Sequence, residues 1–595
     1  MLKSFKDLPS IIQKKRCLEL KKTSDNKYVI LGMTYGAHDT SAALMIDGQV
    51  IAACEQERFD LIKHSRSFPK EAITECMKIG HVSWDEVNEI SVGFEYIDKI
   101  RKVYLEPALI DEARIEFLIT DIERIKTFYN MEKIIRHETD FNGTIKFFRH
   151  HKAHLASAYY PSGFNEALLV SFDGMGEIET GMIGRGIDGK IEVLHDNVLY
   201  PHSLGLLYSA ITFFLGWQIN CDEGIIMGLA PWGDYNARIP DYDKSYLEVF
   251  EDIVIITGKY EYEINLDWIA YHQKRDTWVS DRFKNIFGQK REKNDSLMGH
   301  HRNIAAALQK RLEDVVLAQL NEARKEYGLS KLCIAGGVGL NCSLNGKIVD
   351  SGLFDEVFVQ PAAGDAGIAY GSILLSESQR LGNGLRPSKD HNFYLGSRYE
   401  NDEIESVLIE SGYSYDAPKN LAAVTAKSLA DGLIIGWFQG ASEFGPRALG
   451  NRSILCRPYP EIQRDHINSR VKFREEFRPF APAVLSEYTE EFFQIKQESP
   501  HMLIACEVKP DKKQIIPAVV HVDDSCRVQT VKESNNREFY KLLKEFHKIT
   551  NCPVLLNTSF NVKGQPIVNT PKQAVDCFLS TNIDVLVIGK YILKK

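Results

Sequence analysis

Three observations predict an α/β fold in two domains. At 595 residues the chain is too long for one ordinary domain and suits two large ones. Apolar strand candidates alternate with helical patterns between residues 28 and 381. Twice a strand passes through a glycine turn into a helix, at Gly336-Gly337-Val338-Gly339-Leu340-Asn341 and at Ala362-Ala363-Gly364-Asp365-Ala366-Gly367. Backbone N–H groups of such turns reach a phosphate or a nucleoside. Two of them facing one cleft suit an actin/hexokinase-type domain.

Composition narrows the class. With 44% apolar and 26% charged residues the chain reads as globular, and a net charge of −9 argues against a nucleic-acid partner while suiting a cationic small molecule. The 11 cysteines stand singly without a CxxC pair, which predicts reduced thiols and a cytoplasmic location. No apolar run approaches a membrane span. The first 27 residues carry eight Lys/Arg against three Asp/Glu without an apolar core, so an amphipathic extension is expected at 1–27. The polar stretch 381–392 reads as a linker, giving domains at 28–385 and 392–595.

In chain order, strands are expected at 28–33, 41–46 and 50–55, the last two joined by an Asp47-Gly48 turn. The intervening loop GAHDTSA (36–42) is small enough for a ligand to approach, and His38 and Asp39 project chemistry there; Asp in a loop also bonds its own backbone. The charge-dense run 55–69 is expected to be a solvated face. His150 and His154, four apart in a helical run, share one face. Nineteen residues past His154, the strand 167–172 ends in Asp173, and Asp365 lies in the second glycine turn. Two imidazoles and a carboxylate suit iron, zinc or manganese, whereas an isolated HxxxH also packs or caps a helix. The HExxH pattern of zinc proteases is absent. An apolar helix at 203–215 leads to EGIIMGLAPWG (223–233), expected to be a closely packed loop, and 303–327 reads as a long helix.

Beyond the linker the character changes. GASEFGPRALGN (440–451) and VKFREEFRPFAP (471–482) set Arg447, Lys472, Arg474 and Arg478 among Gly and Pro, followed by Arg527 and by Asn557 and Ser559 at the end of an apolar strand. Cations gathered with amide and hydroxyl groups form a polyphosphate or carboxylate site. Surface ion pairs with Glu475 and Glu476 are the alternative.

Taken together, GAHDTSAAL, EQERF with KHSRSFP, HHKAHLASAYYPS, SFDGMGE, EGIIMGLAPWG, GGVGLN, GDAGIAYG, FGPRALGNRSIL, KFREEFRPFAP and LNTSFN resemble one family over roughly residues 30 to 590. It is the O-carbamoyltransferase family of nodulation protein U and the cephalosporin hydroxymethyl carbamoyltransferase, which includes nebramycin 5′-synthase. The resemblance implies a first domain like the tRNA-threonylcarbamoyl transferases and a YrdC-like second domain. It implies formation of carbamoyl adenylate from carbamoyl phosphate and ATP, with Mg2+, then transfer of the carbamoyl group to a small-molecule alcohol. Carried onto this chain, a transition metal (Fe2+ first, Zn2+ or Mn2+ otherwise) would sit on His150, His154, Asp173 and Asp365. His38, with Asp39, would serve the reacting hydroxyl. Arg447, Lys472, Arg478, Arg527, Asn557 and Ser559 would hold carbamoyl phosphate and ATP; Gly336, Gly337, Val338 and Asn341 would hold the adenylate; Glu223 and Ile225 would face the acceptor.

Two positions depart from the family pattern: Ile225 stands where Lys is common in EGKxMGLA, and Ala441 where Arg is common after WFQG. The acceptor expectation is a natural product, specifically a cationic guanidinium alkaloid as in saxitoxin-type toxin biosynthesis, with neither nucleic acid nor membrane as partner and a homodimer compatible with the chain. A tRNA-threonylcarbamoyl-type synthase and a non-catalytic nucleotide-binding regulator are the competing readings.

Overall fold

The structure, a computed structural model, describes residues 27–389, 391–475 and 477–595, so the expected extension lies outside the described residues except for Lys27. The first sheet contains β1 (Val29–Thr34), β2 (Ser41–Ile46), β3 (Gln49–Glu55), β4 (Val87–Val92) and β5 (Thr144–Phe147), in the order β3-β2-β1-β4-β5. Strands β1 to β3 form an antiparallel meander, and β4 and β5 extend it in parallel. Asp47 and Gly48 both have positive φ, the tight β2–β3 hairpin that a DG pair favours.

The second sheet repeats this plan. It contains β6 (Glu166–Phe172), β7 (Gly181–Ile187) and β8 (Lys190–His195); a separate hairpin, β9 (Val254–Ile256) with β10 (Tyr262–Ile264), precedes β11 (Lys331–Ala335) and β12 (Glu356–Val359). The order β12-β11-β6-β7-β8, again an antiparallel meander continued by two parallel strands, gives the duplicated architecture of the actin/hexokinase class.

Six helices matter for the site: α1 (His150–Ser162), α2 (Leu204–Phe214), α3 (Glu223–Leu229), α4 (Gly299–Tyr327), α5 (Cys342–Asp350) and α6 (Ala366–Leu381). Helices α1 and α6 cross at unusually close range. A Cβ on Gly371 would lie 1.9 Å from the Ala153 carbonyl oxygen, so only glycine permits the crossing. His150 opens α1 and Asp365 immediately precedes α6, and the crossing brings these two positions to one end of the cleft. Helix α1 is buried along almost its whole length, which explains why its sequence lacks an amphipathic pattern.

The second domain is built on a mixed seven-stranded sheet, β19-β15-β20-β14-β13-β21-β22, beside a small antiparallel sheet, β16-β17-β18. In chain order the strands are β13 (Ile435–Phe438), β14 (Arg452–Cys456), β15 (Ala481–Leu485), β16 (Phe493–Gln494), β17 (Ala505–Val508), β18 (Ser525–Arg527), β19 (Gln529–Val531), β20 (Val554–Ser559), β21 (Val585–Ile588) and β22 (Tyr591–Lys594). Trp437, Phe438, Leu555 and Leu586 contribute to one continuous core under the helix Arg537–Thr550, whose Phe539, Leu542, Leu543 and Phe546 are buried. The small sheet docks on the first domain. Asn345 donates to the Leu503 carbonyl (2.8 Å), and Gln497 and Val357 exchange bonds of 3.1 and 2.8 Å.

Two local expectations are corrected. The run 55–69 is a solvated face only in part: Lys63 and Arg66 are exposed, but Glu55, Gln56, Arg58 and Ser65 are buried. The buried charges are matched: Arg58 donates to Glu55 (2.7 Å) and to the Gly445 carbonyl of the second domain (2.7 Å). The stretch 223–233 is helical, being α3 followed by a 3-10 turn Ala230–Trp232; Pro231 stands in the first positions of that turn, where its missing N–H costs nothing. No helix among the described residues is long and apolar enough to cross a membrane. All the described cysteines are free, and all but Cys221 are buried.

Candidate active site

Four buried side chains converge where α1, β6 and α6 meet: His150, His154, Asp173 and Asp365, with ligand-type atoms all within 4.8 Å of one another. His150 Nε2 lies 2.9 Å from Asp173 Oδ2 and 3.1 Å from His154 Nε2; His154 Nε2 lies 3.4 Å from Asp173, and each imidazole is 3.8 Å from Asp365 Oδ1. Donor atoms bound at about 2.1 Å to one metal stand roughly 3–3.5 Å apart when adjacent, and most of these separations agree. Both Nδ1 atoms are buried without a hydrogen-bond partner, so the rings are turned to present Nε2 inward. Burial opposes charge on His154, yet hydrogen bonds to Asp173 and Asp365 outweigh it and raise the ring to about 9. Burial likewise opposes ionisation of Asp173, which His150 and His154 nevertheless hold well below the usual carboxylate range. Two imidazoles and two carboxylates of this geometry fit a divalent transition metal.

Around this cluster, Glu177 accepts from the His150 backbone N–H (3.0 Å), and Phe94 meets the His150 ring edge-on at 5.1 Å. Lys99 is buried nearby, donating to the Gly176 carbonyl (2.8 Å). Burial pushes it down to about 7.

His38 stands at the mouth. Its Nε2 is 3.8 Å from Asp365 Oδ2, and its Nδ1 is 3.0 Å from Asp39 Oδ2. Burial opposes its protonation, but Asp365 and then Asp39 raise it to about 9. Asp39 is shared with His64, whose Nδ1 lies 2.6 Å from Oδ1.

The cations of the second domain form another cluster. Burial and repulsion from Arg527 and then Arg478 lower Arg447 to about 9, while burial together with Arg478 and Arg527 lowers Arg474 well below its ordinary value. Glu475, 3.6 Å from Arg478, is an acid that pairs with the group. Gathering four guanidiniums at partial burial is costly without an anion to bind. Buried Nε atoms of Arg447 and Arg527 lack partners, as does Asn557 Oδ1. Lys472 is committed to the chain beneath, donating to the Ser559 carbonyl and to Asn561 Oδ1 (2.7 Å), and Ser559 donates to the same oxygen (2.8 Å).

The glycine loop 336–341 lies between the clusters. Gly336 has φ +86°, and a Cβ there would lie 2.2 Å from the Phe172 carbonyl oxygen. Gly337 N–H donates to Asp173 Oδ1 (3.0 Å), and the Leu340 carbonyl accepts from Arg447 (3.4 Å). Val338 is buried behind the loop, while Asn341 caps α5 through Leu344 N–H (3.0 Å) and donates to Gln309 (2.9 Å). Glu223 is likewise engaged locally, accepting from Ser209 and from Asn220 N–H at 2.6 Å each, and Ile225 is buried. Behind His150 opens a cavity of about 280 Å³ lined by Glu95, Asp98, Glu177, Glu179 and Asp196 together with Lys102 and Arg149.

The four clustered residues, His38 and the arginines are among those that the family resemblance implies, and the structure brings the four together. Sequence patterns do not single out His64, Lys99, Glu177 or Asn561, whose roles depend on contacts made across the fold; the only pointer to His64 is its place in KHSRSFP.

Comparison with known proteins identifies the family. The families described as Carbamoyltransferase N-terminus and Carbamoyltransferase C-terminus match residues 29–374 and 426–595. An uncharacterized protein of Synechocystis sp. is 37% identical over 95% of this chain and 96% of its own length. Nodulation protein NolNO of Sinorhizobium fredii is 37% identical over 94% of this chain and 79% of its own. The 3'-hydroxymethylcephem-O-carbamoyltransferase of Streptomyces clavuligerus is 36% identical over 43% of this chain and 47% of its own. With both halves matched, the chain belongs to the carbamoyltransferase family and is an enzyme that transfers carbamoyl groups.

Proposed function

We propose that this enzyme is an ATP-dependent O-carbamoyltransferase acting on a small hydroxylated acceptor. The observation that carries this reading is the single loop 336–341, which touches Asp173 of the His/Asp cluster with one residue and Arg447 of the cation cluster with another. That one loop borders both clusters supports transfer of an activated intermediate from the cations to the His/Asp cluster, a step that favours exclusion of water.

The second domain is read as YrdC-like. Arg447, Arg478 and Arg527, with Asn557 and Ser559, take the phosphates of ATP and carbamoyl phosphate, while Lys472 braces the strand end that carries Ser559. Water cleaves carbamoyl phosphate to carbamate and phosphate; a carbamate oxygen then displaces pyrophosphate from the ATP α-phosphorus, giving carbamoyl adenylate. Guanidiniums already in place offset the charge gathered there without reorganisation. The clustering of these cations in a cleft between domains, rather than along an open face, favours a small anion over a nucleic-acid backbone.

In the first domain the N–H groups of the loop at Gly336 and Gly337 border the adenylate. His38 Nδ1 donates to Asp39, which leaves Nε2 to accept the proton of the acceptor hydroxyl. The hydroxyl oxygen bonds to the carbamoyl carbon, the bond from that carbon to the adenylate oxygen breaks, AMP leaves, and the proton remains on His38. General-base assistance of this kind contributes about 10²–10⁴-fold. His150, His154, Asp173 and Asp365 would hold Fe2+, or Zn2+ or Mn2+. When bound, the metal polarises the carbamoyl carbonyl and offsets the carboxylate charge that keeps a proton on His38. The acidic cavity behind His150 supports a cationic acceptor, such as a guanidinium alkaloid.

The test is pyrophosphate release from carbamoyl phosphate, ATP and Mg2+, with and without a panel of hydroxylated cationic metabolites, in wild type and Arg478→Ala. Release that disappears in the variant supports adenylate chemistry, and acceleration by one compound identifies the acceptor. Absence of release from metal-loaded protein overturns the reading.

A further inference from the structure

We propose that His64 is a positioning residue of the transfer step: it clamps the second oxygen of the Asp39 carboxylate and thereby sets the orientation and tautomer of His38. The proposal rests on the reading of His38 as the base. Two imidazoles share one carboxylate, His38 Nδ1 on Oδ2 at 3.0 Å and His64 Nδ1 on Oδ1 at 2.6 Å. A carboxylate held at one oxygen can rotate about its Cβ–Cγ bond; held at both, it cannot turn without breaking one contact. Because Asp39 is an acceptor toward both rings, each ring carries a proton on Nδ1, and His38 turns Nε2 toward Asp365.

The backbone prepares this clamp. Asp39 and His64 both occupy the left-handed region, with φ of 56° and 55°. Positive φ is uncommon outside glycine, although Asp and His adopt it more readily than most residues, and hydrogen bonds from the surrounding chain hold both here. Thr40 N–H donates to the Ser65 carbonyl (3.1 Å), Gln56 N–H to the Thr40 carbonyl (2.9 Å), and His64 N–H to Glu57 Oε2 (2.8 Å). These bonds lock 57–65 over the loop 36–40. Burial opposes a charged His64, yet Asp39 raises it to about 11, so an imidazolium balances the carboxylate that His38 leans on.

Asp39, Glu57 and His64 also bring ligand-type atoms within 4.8 Å of one another. Their oxygens, however, already accept N–H groups, Asp39 from the His64 ring and Glu57 from the His64 backbone, which makes this a hydrogen-bonded clamp rather than a second metal centre.

The experiment compares wild type, His64→Ala, His64→Asn and His38→Gln, each metal-loaded. Asn offers an amide N–H near the position of Nδ1. Nitrogen-15 histidine spectra, assigned with His38→Gln, report the His38 tautomer; AMP formation with glycerol as the probe acceptor reports transfer; pyrophosphate release and metal content serve as controls. The expected result is a defined Nδ1–H tautomer of His38 in wild type and His64→Asn, and a mixture in His64→Ala. Transfer turnover in His64→Ala falls about 10²-fold with KM, pyrophosphate release and metal content unchanged, and His64→Asn recovers most of it. An unchanged His38 tautomer in His64→Ala overturns the proposal, as does equal impairment of the Ala and Asn variants or loss of one metal equivalent. If His38→Gln transfers as well as wild type, the general-base reading falls and takes the clamp with it; if only His64→Ala does, the clamp alone falls.

Discussion

Gly337 donates its backbone N–H to Asp173 at 3.0 Å across a separation of 164 residues. That bond ties the end of β6 to the glycine loop after β11, neighbouring strands of the second sheet. The fit has little slack, since a Cβ on Gly337 would lie 2.9 Å from the carboxylate and one on Gly336 would press into the Phe172 carbonyl.

Gly336→Ala is therefore expected to destabilise the first domain by about 1–3 kcal/mol from backbone strain alone, with more from the clash. Thermal unfolding and metal content should both fall. A variant with wild-type melting and metal retention would show that the loop has room the geometry denies.

Asp173→Asn removes one carboxylate from the His/Asp cluster while preserving shape. Metal content should drop and carbamoyl transfer should decrease by about 100-fold or more, with pyrophosphate release retained because the cation cluster is untouched. Elemental analysis and the two half-reactions distinguish these effects. Chelation of the wild-type protein should mimic the variant, with recovery on adding Fe2+.

Arg527→Ala should act on stability and function in opposite directions. Relief of repulsion with Arg447 and Arg474 should raise the ligand-free melting temperature by a few degrees, the shift that about 1 kcal/mol gives in a large domain. The stabilisation that ATP confers on wild type should be largely lost, since binding to the native state is what produces it. Calorimetric scans with and without ATP test both signs.

Lys99 supplies a pH signature. Burial depresses its folded value to about 7 from about 10.5. Between those values only the unfolded state carries the proton, so wild-type stability rises with pH through that window, and the cost is fully present below 7. Lys99→Met should be more stable than wild type at pH 6.5, with the difference shrinking toward pH 10. Denaturant titrations across this range check the sign; a constant difference would mean that Lys99 holds its proton in the folded state as fully as in the unfolded one.

Much of the site was legible because its chemistry depends on local spacing. The interval from His150 to His154 is one helical turn, the carboxylate at Asp173 closes a strand, and the glycine turns announce close approach; these are periodicities and punctuation, readable without a fold. The arginines near Gly and Pro were legible for a similar reason. The buried state of Glu55 and Arg58 was not, because a charge run looks solvated until a counter-charge and the Gly445 carbonyl are brought beside it.

The sequence by itself determined the α/β class, the residue types of both clusters and the family resemblance, since each depends on side-chain identity and short-range order. Only the tertiary structure decided how closely Asp365 approaches His150, His154 and Asp173, that one loop touches both clusters, and that His64 shares the carboxylate of Asp39. Those contacts arise from helix crossing and domain docking, where the distances are set by what packs between residues far apart along the chain.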